Sequence, residues 1–243
     1  MIVYGHRGAR GEAPENTIAG ARHALERGVT RLEIDLRLSK DGQLVVVHDT
    51  TVNRTTSQRG KIGKFTAKQL AHMDAREDGP PWPNKRQTGI PSLTALVDAL
   101  PKIRHWQLEL KSGSERYNQQ LADAVVDWLE DRNEEARFVV TSSEPTLLTE
   151  VQRQRPGQQT GYVSTIPEPS MILAACNCEY LIAHWSTLVN ALLIRRLQRQ
   201  GVHISAWTVN DASVITNLHQ LGVDSVITDY PSMAVPLVAT LER

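Results

Sequence analysis

Eight short apolar runs, most of them separated by stretches with helical periodicity, constrain the fold of this chain more than any other feature. The runs cover residues 2–4, 31–36, 106–110, 137–141, 160–163, 180–183, 203–206 and 225–227. Runs of this length are typical of strands, and strands that alternate with helices indicate parallel βαβ units. Eight such units in 243 residues favour a closed (β/α)8 barrel, the TIM barrel, over an open sheet.

Four of the intervening stretches carry clear helix signals. They cover residues 17–27, 117–131, 188–200 and 212–221. Gly28, Gly201 and Gly222 follow three of these stretches, and glycine is the residue that most often ends a helix. We therefore expect these segments to cover the outside of the barrel.

The interval 49–89 interrupts the alternation of strands and helices. It is polar, rich in Thr, Gly and Pro, and too short for a robust core of its own. We expect it to be a small insertion after the second strand, so that residues 1–243 form a single TIM-barrel domain. Residues 43–47, entered through a turn at 40–42, predict one additional extended segment before it.

The charge balance excludes one class of partner. The chain has 27 basic and 27 acidic residues, and its formal net charge at pH 7 is zero. A sequence-independent nucleic-acid binder needs a basic surplus to neutralise phosphates, so we expect no nucleic-acid partner. A small anionic substrate is compatible with this balance, because a local pocket can be basic on a neutral protein.

The N-terminus and the cysteines indicate the compartment. The chain begins MIVYGHRGAR, an apolar start too short for a secretory signal, and no run reaches the roughly 18 apolar residues of a membrane span. Cys176 and Cys178 are too close to form an unstrained disulfide, and one pair cannot complete a thiolate metal site. We expect a cytoplasmic protein in a reducing setting, without stable membrane association. The sequence does not predict an oligomeric state.

Two carboxylates in segment 31–37, RLEIDLR, are the first chemical signal. Successive side chains of a strand point to opposite faces, so Glu33 and Asp35 share the face opposite the leucines and isoleucine. A solvated acidic edge is the alternative, but the outer side of a barrel strand is covered by helices. Two inward carboxylates repel each other unless something neutralises them, and a divalent cation is the simplest neutraliser.

The segment 106–111, WQLELK, repeats this pattern on another strand. Glu109 shares its inward face with Lys111 and could complete a three-carboxylate oxygen site suited to Mg²⁺ or Ca²⁺. Lys111 lies one step nearer the strand's carboxyl end, where barrel enzymes place their active sites. It could bind phosphate there, or form an ion pair with Glu109.

Histidines follow two of the predicted strands. His6 stands in Gly-His-Arg-Gly and His48 in His-Asp, and a histidine pair beside a metal suits acid–base chemistry near neutral pH. Arg7, next to His6, offers bidentate phosphate binding. His184 also follows a predicted strand and is a candidate for substrate contact. We expect the other histidines to be structural.

Seven motifs in this order resemble the glycerophosphodiester phosphodiesterase family over nearly the whole chain. They are HRGARGEAPENT at 6–17, LEIDLRLSKDGQLVVVHD at 32–49, RTT at 54–56, IPSL at 90–93, LELK at 108–111, AWTVN at 206–210 and GVDSVITDYP at 222–231. Any one motif alone is weak, whereas the ordered set is specific.

The resemblance implies a TIM barrel with a small insertion after the second strand. It assigns site roles to eight positions: metal ligation to Glu33, Asp35 and Glu109, acid–base catalysis to His6 and His48, phosphate contact to Arg7 and Lys111, and the glycerol side of the pocket to Trp207. Trp207 could instead be plain barrel core, because aromatic side chains on strands are usually packing residues.

The activity implied by the resemblance is metal-dependent hydrolysis of glycerophosphodiesters to glycerol 3-phosphate and an alcohol. We assign His6 as the base and His48 as the acid, with the reverse open, and the nucleophile as water or a substrate hydroxyl. A lysophospholipase-D-like or sphingomyelinase-D-like activity is disfavoured by the absence of a signal peptide and of an obvious apolar surface loop. A non-catalytic phosphodiester-binding barrel would be expected to lack one of these histidines or carboxylates. The head group stays open.

Overall fold

Nine strands form one sheet in the part of the chain that the structure covers. The structure is a computed structural model that describes residues 1–132 and 134–243. The strands are β1 (Ile2–His6), β2 (Arg31–Leu38), β3 (Leu44–Val46), β4 (His105–Leu110), β5 (Phe138–Ser142), β6 (Thr160–Ser164), β7 (Tyr180–His184), β8 (His203–Trp207) and β9 (Ser225–Thr228). All eight predicted strands are confirmed, each within a few residues of its expected bounds.

Eight of these strands close into a parallel barrel. The order runs β1-β9-β8-β7-β6-β5-β4-β2, and β1 also pairs with β2, so the sheet has no open edge along this circuit. The first and last strands pair in parallel, with Ile2 opposite Ser225. The strand β3 is the predicted extra segment, and it pairs antiparallel with β2 outside the circuit. The predicted (β/α)8 barrel is confirmed.

Helices follow the strands around the outside. They are α1 (Ile18–Glu26), α2 (Ala67–Ala71), α3 (Leu93–Asp98), α4 (Glu115–Arg132), α5 (Pro145–Gln154), α6 (Ser170–Ala175), α7 (Ala191–Arg199), α8 (Ala212–Leu221) and α9 (Pro231–Leu241). Thr17 caps α1 by accepting from the Gly20 N–H. The helix α7 begins later than its predicted start at 188, because Asn190 caps it and residues Trp185–Thr187 form a separate 3₁₀ turn.

The alternation of side chains along β2 follows the prediction. Leu32, Ile34 and Leu36 are fully buried in the apolar layer between the barrel and its helices, where they belong to the same cluster as Ala24 of α1 and Val125 of α4. The residues between them therefore point into the barrel. Burial of this layer is the main source of stability in such a fold, because the surrounding helices remove the outward-facing strand residues from water.

The interval after β3 packs against the barrel with a small apolar cluster. Its members are Val45, Val47, Val52, Ile62, Leu70, Ala75 and Ile90. The cluster contains residues of β3 and of α2, so the interval is anchored to the hairpin that precedes it. Within residues 1–132 and 134–243, every helix falls short of the length and hydropathy that a membrane crossing requires.

Candidate active site

Three carboxylates from two neighbouring strands meet inside the barrel. Oxygen atoms of Glu33, Asp35 and Glu109 all lie within 4.8 Å of one another. The register explains this, because Asp35 on β2 is directly opposite Glu109 on β4 and Glu33 shares the inward face of β2. Glu33 and Asp35 are buried, and Glu109 is partly buried.

The two buried carboxyls of this cluster have pKa values that are shifted in opposite directions. Burial, followed by the charges of Asp35 and Glu109, holds the pKa of Glu33 well above its ordinary value. Burial alone would also raise the pKa of Asp35, but Lys111 and then Arg7 outweigh it, so that this pKa lies below its ordinary range. Glu33 is therefore the carboxyl for which an additional positive charge is most favourable.

The donor set fits a hard divalent cation. The Oε1 atom of Glu33 is buried and accepts no hydrogen bond from any described residue. A buried carboxylate oxygen without a donor is costly, and a coordinated cation satisfies it. Three carboxylates and no nitrogen or sulfur ligand are the chemistry that Mg²⁺ and Ca²⁺ prefer. These residues could hold a metal ion.

Arg7 and Lys111 contact the acidic cluster from two sides. The Lys111 Nζ lies 2.9 Å from Asp35 Oδ1 and 2.7 Å from Glu109 Oε1. The Arg7 Nε lies 3.1 Å from Asp35 Oδ2, and its Nη1 donates to Glu15 Oε1 at 3.0 Å. Lys111 thus forms the ion pair with Glu109 that was the alternative to phosphate binding, and its ammonium is nonetheless at the site. Burial would lower the pKa of Lys111, but Asp35 and Glu109 outweigh it and raise the pKa above its ordinary value.

The backbone around Arg7 adopts an unusual conformation. Arg7 and Asn16 have φ values of 51° and 54°, and Gly8 has a φ of 92°. Left-handed conformations are uncommon for residues other than glycine, cost of order 1 kcal/mol, and cluster at functional sites. Here they let the Asn16 amide donate to Asp35 Oδ2 at 2.8 Å while the Asn16 N–H donates to the Arg7 carbonyl at 2.8 Å.

His6 is held by an aspartate from the last strand's end. The His6 Nδ1 lies 2.6 Å from Asp229 Oδ1, and the Asn210 amide donates to Asp229 Oδ2 at 2.7 Å. The other ring nitrogen, Nε2, lies 3.8 Å from Glu33 Oε2. The ring is therefore fixed at Nδ1 and presents Nε2 to the acidic cluster.

His48 has a similar arrangement. Its Nδ1 lies 2.8 Å from Asp49 Oδ1, and the N–H of Val47 donates to the Asp35 carbonyl at 2.9 Å, which places the end of the hairpin beside the cluster. Burial, and then the neighbouring Arg7 and Lys111, lower the pKa of His48 against the opposing charge of Asp35. The neutral imidazole is therefore favoured in the free protein.

Arg54, from the RTT segment, joins several of these groups. Its guanidinium donates to both oxygens of Glu15 at 2.8 Å, to Asp49 Oδ2 at 2.8 Å and to Asp78 Oδ2 at 2.6 Å. Glu15 in turn accepts from Arg7, and the two arginines hold the pKa of Glu15 at about 2 although burial opposes this. Arg54 of the insertion thus bonds to Asp49, which holds His48. It also bonds to Glu15, which accepts from Arg7 next to His6.

Trp207 lies at the carboxyl end of β8 and is partly buried. Its indole Nε1 donates to the Ile182 carbonyl at 3.1 Å, and the ring of His184 meets it edge-on at 5.6 Å between centroids. Trp207 is therefore neither fully buried core nor a free surface residue. His184 lies next to it, at the end of β7.

Seven of the eight predicted site residues form one connected group, and Trp207 lies at the same end of the barrel. Asp229, Asn210 and Arg54 had no predicted catalytic or binding role. The sequence carried a partial signal for them, because all three lie within the motifs that carry the family resemblance. Their contacts cross long stretches of chain, which no local pattern specifies.

A closed barrel with a buried acidic cluster, two cationic side chains and two carboxylate-held histidines at its carboxyl end defines a class, the (β/α)8-barrel enzymes. The model of the Glycerophosphoryl diester phosphodiesterase family matches residues 6–233. The chain belongs to this family, and the predicted family and enzyme class are confirmed.

Two curated relatives match over nearly their whole length. The putative glycerophosphodiester phosphodiesterase YhdW of Bacillus subtilis is 32% identical over 245 residues, which is 97% of each chain. The glycerophosphodiester phosphodiesterase of Caldanaerobacter subterraneus is 30% identical, over 98% of this chain and 97% of the relative.

Solved structures with the same fold include one with a bound product. An Oleispira antarctica phosphodiesterase in complex with the product sn-glycerol-3-phosphate superimposes with a TM-score of 0.88 at 27% identity, over 98% of this chain and 97% of that one. A putative glycerophosphoryl diester phosphodiesterase from Silicibacter pomeroyi has a TM-score of 0.88 at 25% identity, over 100% of this chain and 94% of that one.

Proposed function

We propose that this chain hydrolyses glycerophosphodiesters to sn-glycerol 3-phosphate and an alcohol, with the help of a divalent cation. The observation that carries the proposal is the cluster of Glu33, Asp35 and Glu109, whose oxygens lie within 4.8 Å beside Arg7 and Lys111. Family membership and the product-bound Oleispira relative support the same substrate class.

The three carboxylates are the proposed cation ligands, with Mg²⁺ or Ca²⁺ as the ion. When bound, such a cation polarises phosphoryl oxygens and neutralises their charge. The protein supplies the oxygen donors and holds Asp35 in place through Asn16 and Arg7. The orphaned Oε1 of Glu33 supports this role.

Arg7 and Lys111 are the proposed phosphate contacts. Arg7 uses Nε toward Asp35 and Nη1 toward Glu15, and its Nη2 bonds to no described residue. An ammonium has three donors, and Lys111 directs two contacts at carboxylates. Each side chain therefore keeps donor capacity for a phosphoryl oxygen while its carboxylate partners fix its position.

The two histidines are the proposed proton carriers, with His6 as the base and His48 as the acid. Each ring is fixed through Nδ1 by an aspartate and presents Nε2. An imidazole that donates from Nδ1 accepts a proton at Nε2, which supports His6 as the base and leaves the reverse assignment of the two rings open. The acid role of His48 requires the bound phosphodiester anion to raise the pKa of His48, which burial lowers in the free protein.

Trp207 is the proposed wall on the glycerol side of the pocket. Its ring is fixed by the hydrogen bond to the Ile182 carbonyl and by the edge of His184. A rigid aromatic face of this kind packs against the carbon atoms of a small polyol while leaving its hydroxyls free.

A coupled assay for glycerol 3-phosphate tests the proposal. With glycerophosphocholine and Mg²⁺ or Ca²⁺, we expect turnover that EDTA abolishes and either ion restores. His6→Ala and His48→Ala should each lose at least about 100-fold in kcat while keeping the native circular dichroism spectrum. Full activity after exhaustive chelation would overturn the cation assignment. A protein that binds glycerophosphocholine without turning it over would be a non-catalytic barrel.

A further inference from the structure

Large apolar side chains are exposed on one sector of the barrel mouth. Among the described residues six such side chains are exposed, and five of them lie in the two segments that connect β6 to α6 and β7 to α7, including the first turns of those helices. We call these five the apolar rim: Ile166, Met171, Trp185, Val189 and Leu192. Met171, Val189 and Leu192 are 87%, 76% and 74% exposed, so these side chains project into solvent rather than line a groove.

The two segments of the rim are tied together. The Arg196 guanidinium donates to Ser170 Oγ at 2.7 Å and to Glu168 Oε1 at 3.1 Å, which joins α7 to the start of α6. Leu192 lies one turn before Arg196 on the same face of α7, and Met171 directly follows Ser170. The apolar rim is therefore one surface.

This surface is continuous with the candidate active site. The ring of Trp185 lies 5.7 Å from that of His184, which in turn meets Trp207 at 5.6 Å. Three residues beyond Trp207, Asn210 donates to the aspartate that holds His6. A surface that lies against the apolar rim therefore faces the opening through which substrate enters.

Basic side chains lie immediately behind the apolar rim. On α7, Leu193, Ile194 and Leu197 pack against the barrel, and the opposite face carries Arg195, Arg196 and Arg199 with no acidic residue in the helix. Because a helix rises 1.5 Å per residue, Arg195 and Arg196 lie about 5 Å behind Leu192. Apolar tips with guanidinium groups at this spacing match the boundary between acyl chains and anionic headgroups.

We propose that the apolar rim docks the barrel mouth onto a lipid surface that carries anionic headgroups. In the sequence, a lysophospholipase-D-like or sphingomyelinase-D-like activity is disfavoured partly by the lack of an obvious apolar surface loop, and the described residues include two such loops. A second copy of the chain is a poorer occupant, since a twofold contact through this face would bring the arginines of both copies together. The basic face of α7 complements anionic headgroups instead.

Co-sedimentation with lipid vesicles tests the docking without reference to activity. We expect the wild-type protein to bind vesicles of phosphatidylcholine mixed with phosphatidylglycerol, and to bind them less as salt is raised. Leu192→Gln should weaken the partition coefficient about tenfold or more, because it removes one aliphatic side chain that docking would bury in the lipid. Arg195→Gln should weaken it about fivefold. Arg195 and Leu192 are both exposed, so neither change disturbs the fold.

Arg153→Gln is the matched control, because it removes the same charge from the last turn of α5, at the opposite end of the barrel from the mouth. Its binding should equal that of the wild type.

Turnover of glycerophosphocholine should be the same in Leu192→Gln, Arg195→Gln and the wild type. A failure of the proposed catalysis would leave the vesicle result unaffected. Failure of the wild type to bind, or equal binding by all variants, would overturn the proposal. So would a dimer in light scattering that Leu192→Gln dissociates.

Discussion

The contact between His6 and Asp229 shows how one residue can act through another. Asp229 does not belong to the acidic cluster, yet its Oδ1 lies 2.6 Å from His6 Nδ1, and Asn210 fixes its other oxygen. The carboxylate sets which ring nitrogen carries the proton and where the other one points. We regard Asp229 as a positioning residue for His6.

Replacing Asp229 by Asn should separate chemistry from binding. The amide keeps the size of the side chain but can no longer orient a donating Nδ1–H as a carboxylate does. We expect kcat for glycerophosphocholine to fall about 100-fold with KM changed little, as for a loss of acid–base catalysis alone. Asp224→Asn, at the other end of β9, removes a carboxylate that accepts from the Ile204 N–H and should leave kcat intact. Equal losses in both variants would indicate a general structural effect.

Two sequence signals predicted the roles of residues: the alternation of side chains along a strand, and the order of the family motifs along the chain. Parity placed Glu33, Asp35 and Glu109 on inward faces, and the structure brings them together. The conformation of Arg7, at a φ of 51°, has no local sequence signal, since the residue is not glycine. The exposure of Met171 and Leu192 was equally hidden, because an apolar residue in a helical pattern usually predicts core.

At the scale of elements, the insertion is joined to the barrel by charge as well as by its apolar cluster. Arg54 bonds carboxylates on the first βα loop, on the residue after His48 and within the insertion, namely Glu15, Asp49 and Asp78. The bounds of the strands were predictable because each is a compact apolar run. The attachment of the insertion was not, since it depends on pairs such as Arg54 and Glu15 that are 39 residues apart.

Arg54→Lys should loosen this attachment. A lysine keeps the charge but cannot bridge three carboxylates from one planar group. We expect the free energy of unfolding to fall by about 2 kcal/mol, and amide exchange across residues 49–89 to quicken. Arg76→Lys is the control, because Arg76 pairs with Asp74 inside the insertion. Hydrogen-exchange mass spectrometry of both variants makes the comparison, and the same protection in both would contradict the anchoring role of Arg54.

At the scale of the whole molecule, a second polar group fills the amino end of the barrel. His105 is buried, its Nδ1 lies 3.0 Å from the Tyr4 hydroxyl, and Tyr180 stacks on it. Burial, and then Arg31 and His203, lower the pKa of His105 to about 4. The folded protein therefore keeps this ring neutral at pH values where the unfolded chain, with an ordinary histidine pKa of 6.5, takes up a proton.

This difference predicts acid sensitivity in a defined window. Stability is fully present above pH 6.5 and falls as the pH drops toward about 4, since the unfolded state binds more protons there. The loss from His105 alone is about 3 kcal/mol. Carboxylates such as Glu15, with a pKa of about 2, lose stability only below their ordinary value of 4.5. Urea denaturation across this window should show that the free energy of unfolding changes less with pH in His105→Gln than in the wild type. The same pH dependence in both proteins would contradict the role of His105.

Cation binding should also be visible in global stability. Glu33, Asp35 and Glu109 repel one another in the folded state, and an ion that binds only this state stabilises it by mass action. At a concentration about 100 times Kd the gain is about 2.7 kcal/mol, or a rise in Tm of roughly 5–10 °C for a chain of this size. Glu109→Gln should reduce the rise in differential scanning calorimetry with Mg²⁺ or Ca²⁺. No response to either ion would exclude a tight site.

The pairing of β1 with β9 has a consequence for the newly made protein. His6 and its aspartate are separated by 223 residues, almost the span of the barrel. At ribosomal speeds of about 5–20 residues per second, His6 emerges roughly 10 to 45 s before its partner is synthesised. The nascent chain thus cannot form the contact between His6 and Asp229 until the last strand has been made, and we expect any fragment that lacks β9 to be inactive. We therefore expect the first turnover only after synthesis has passed the last strand.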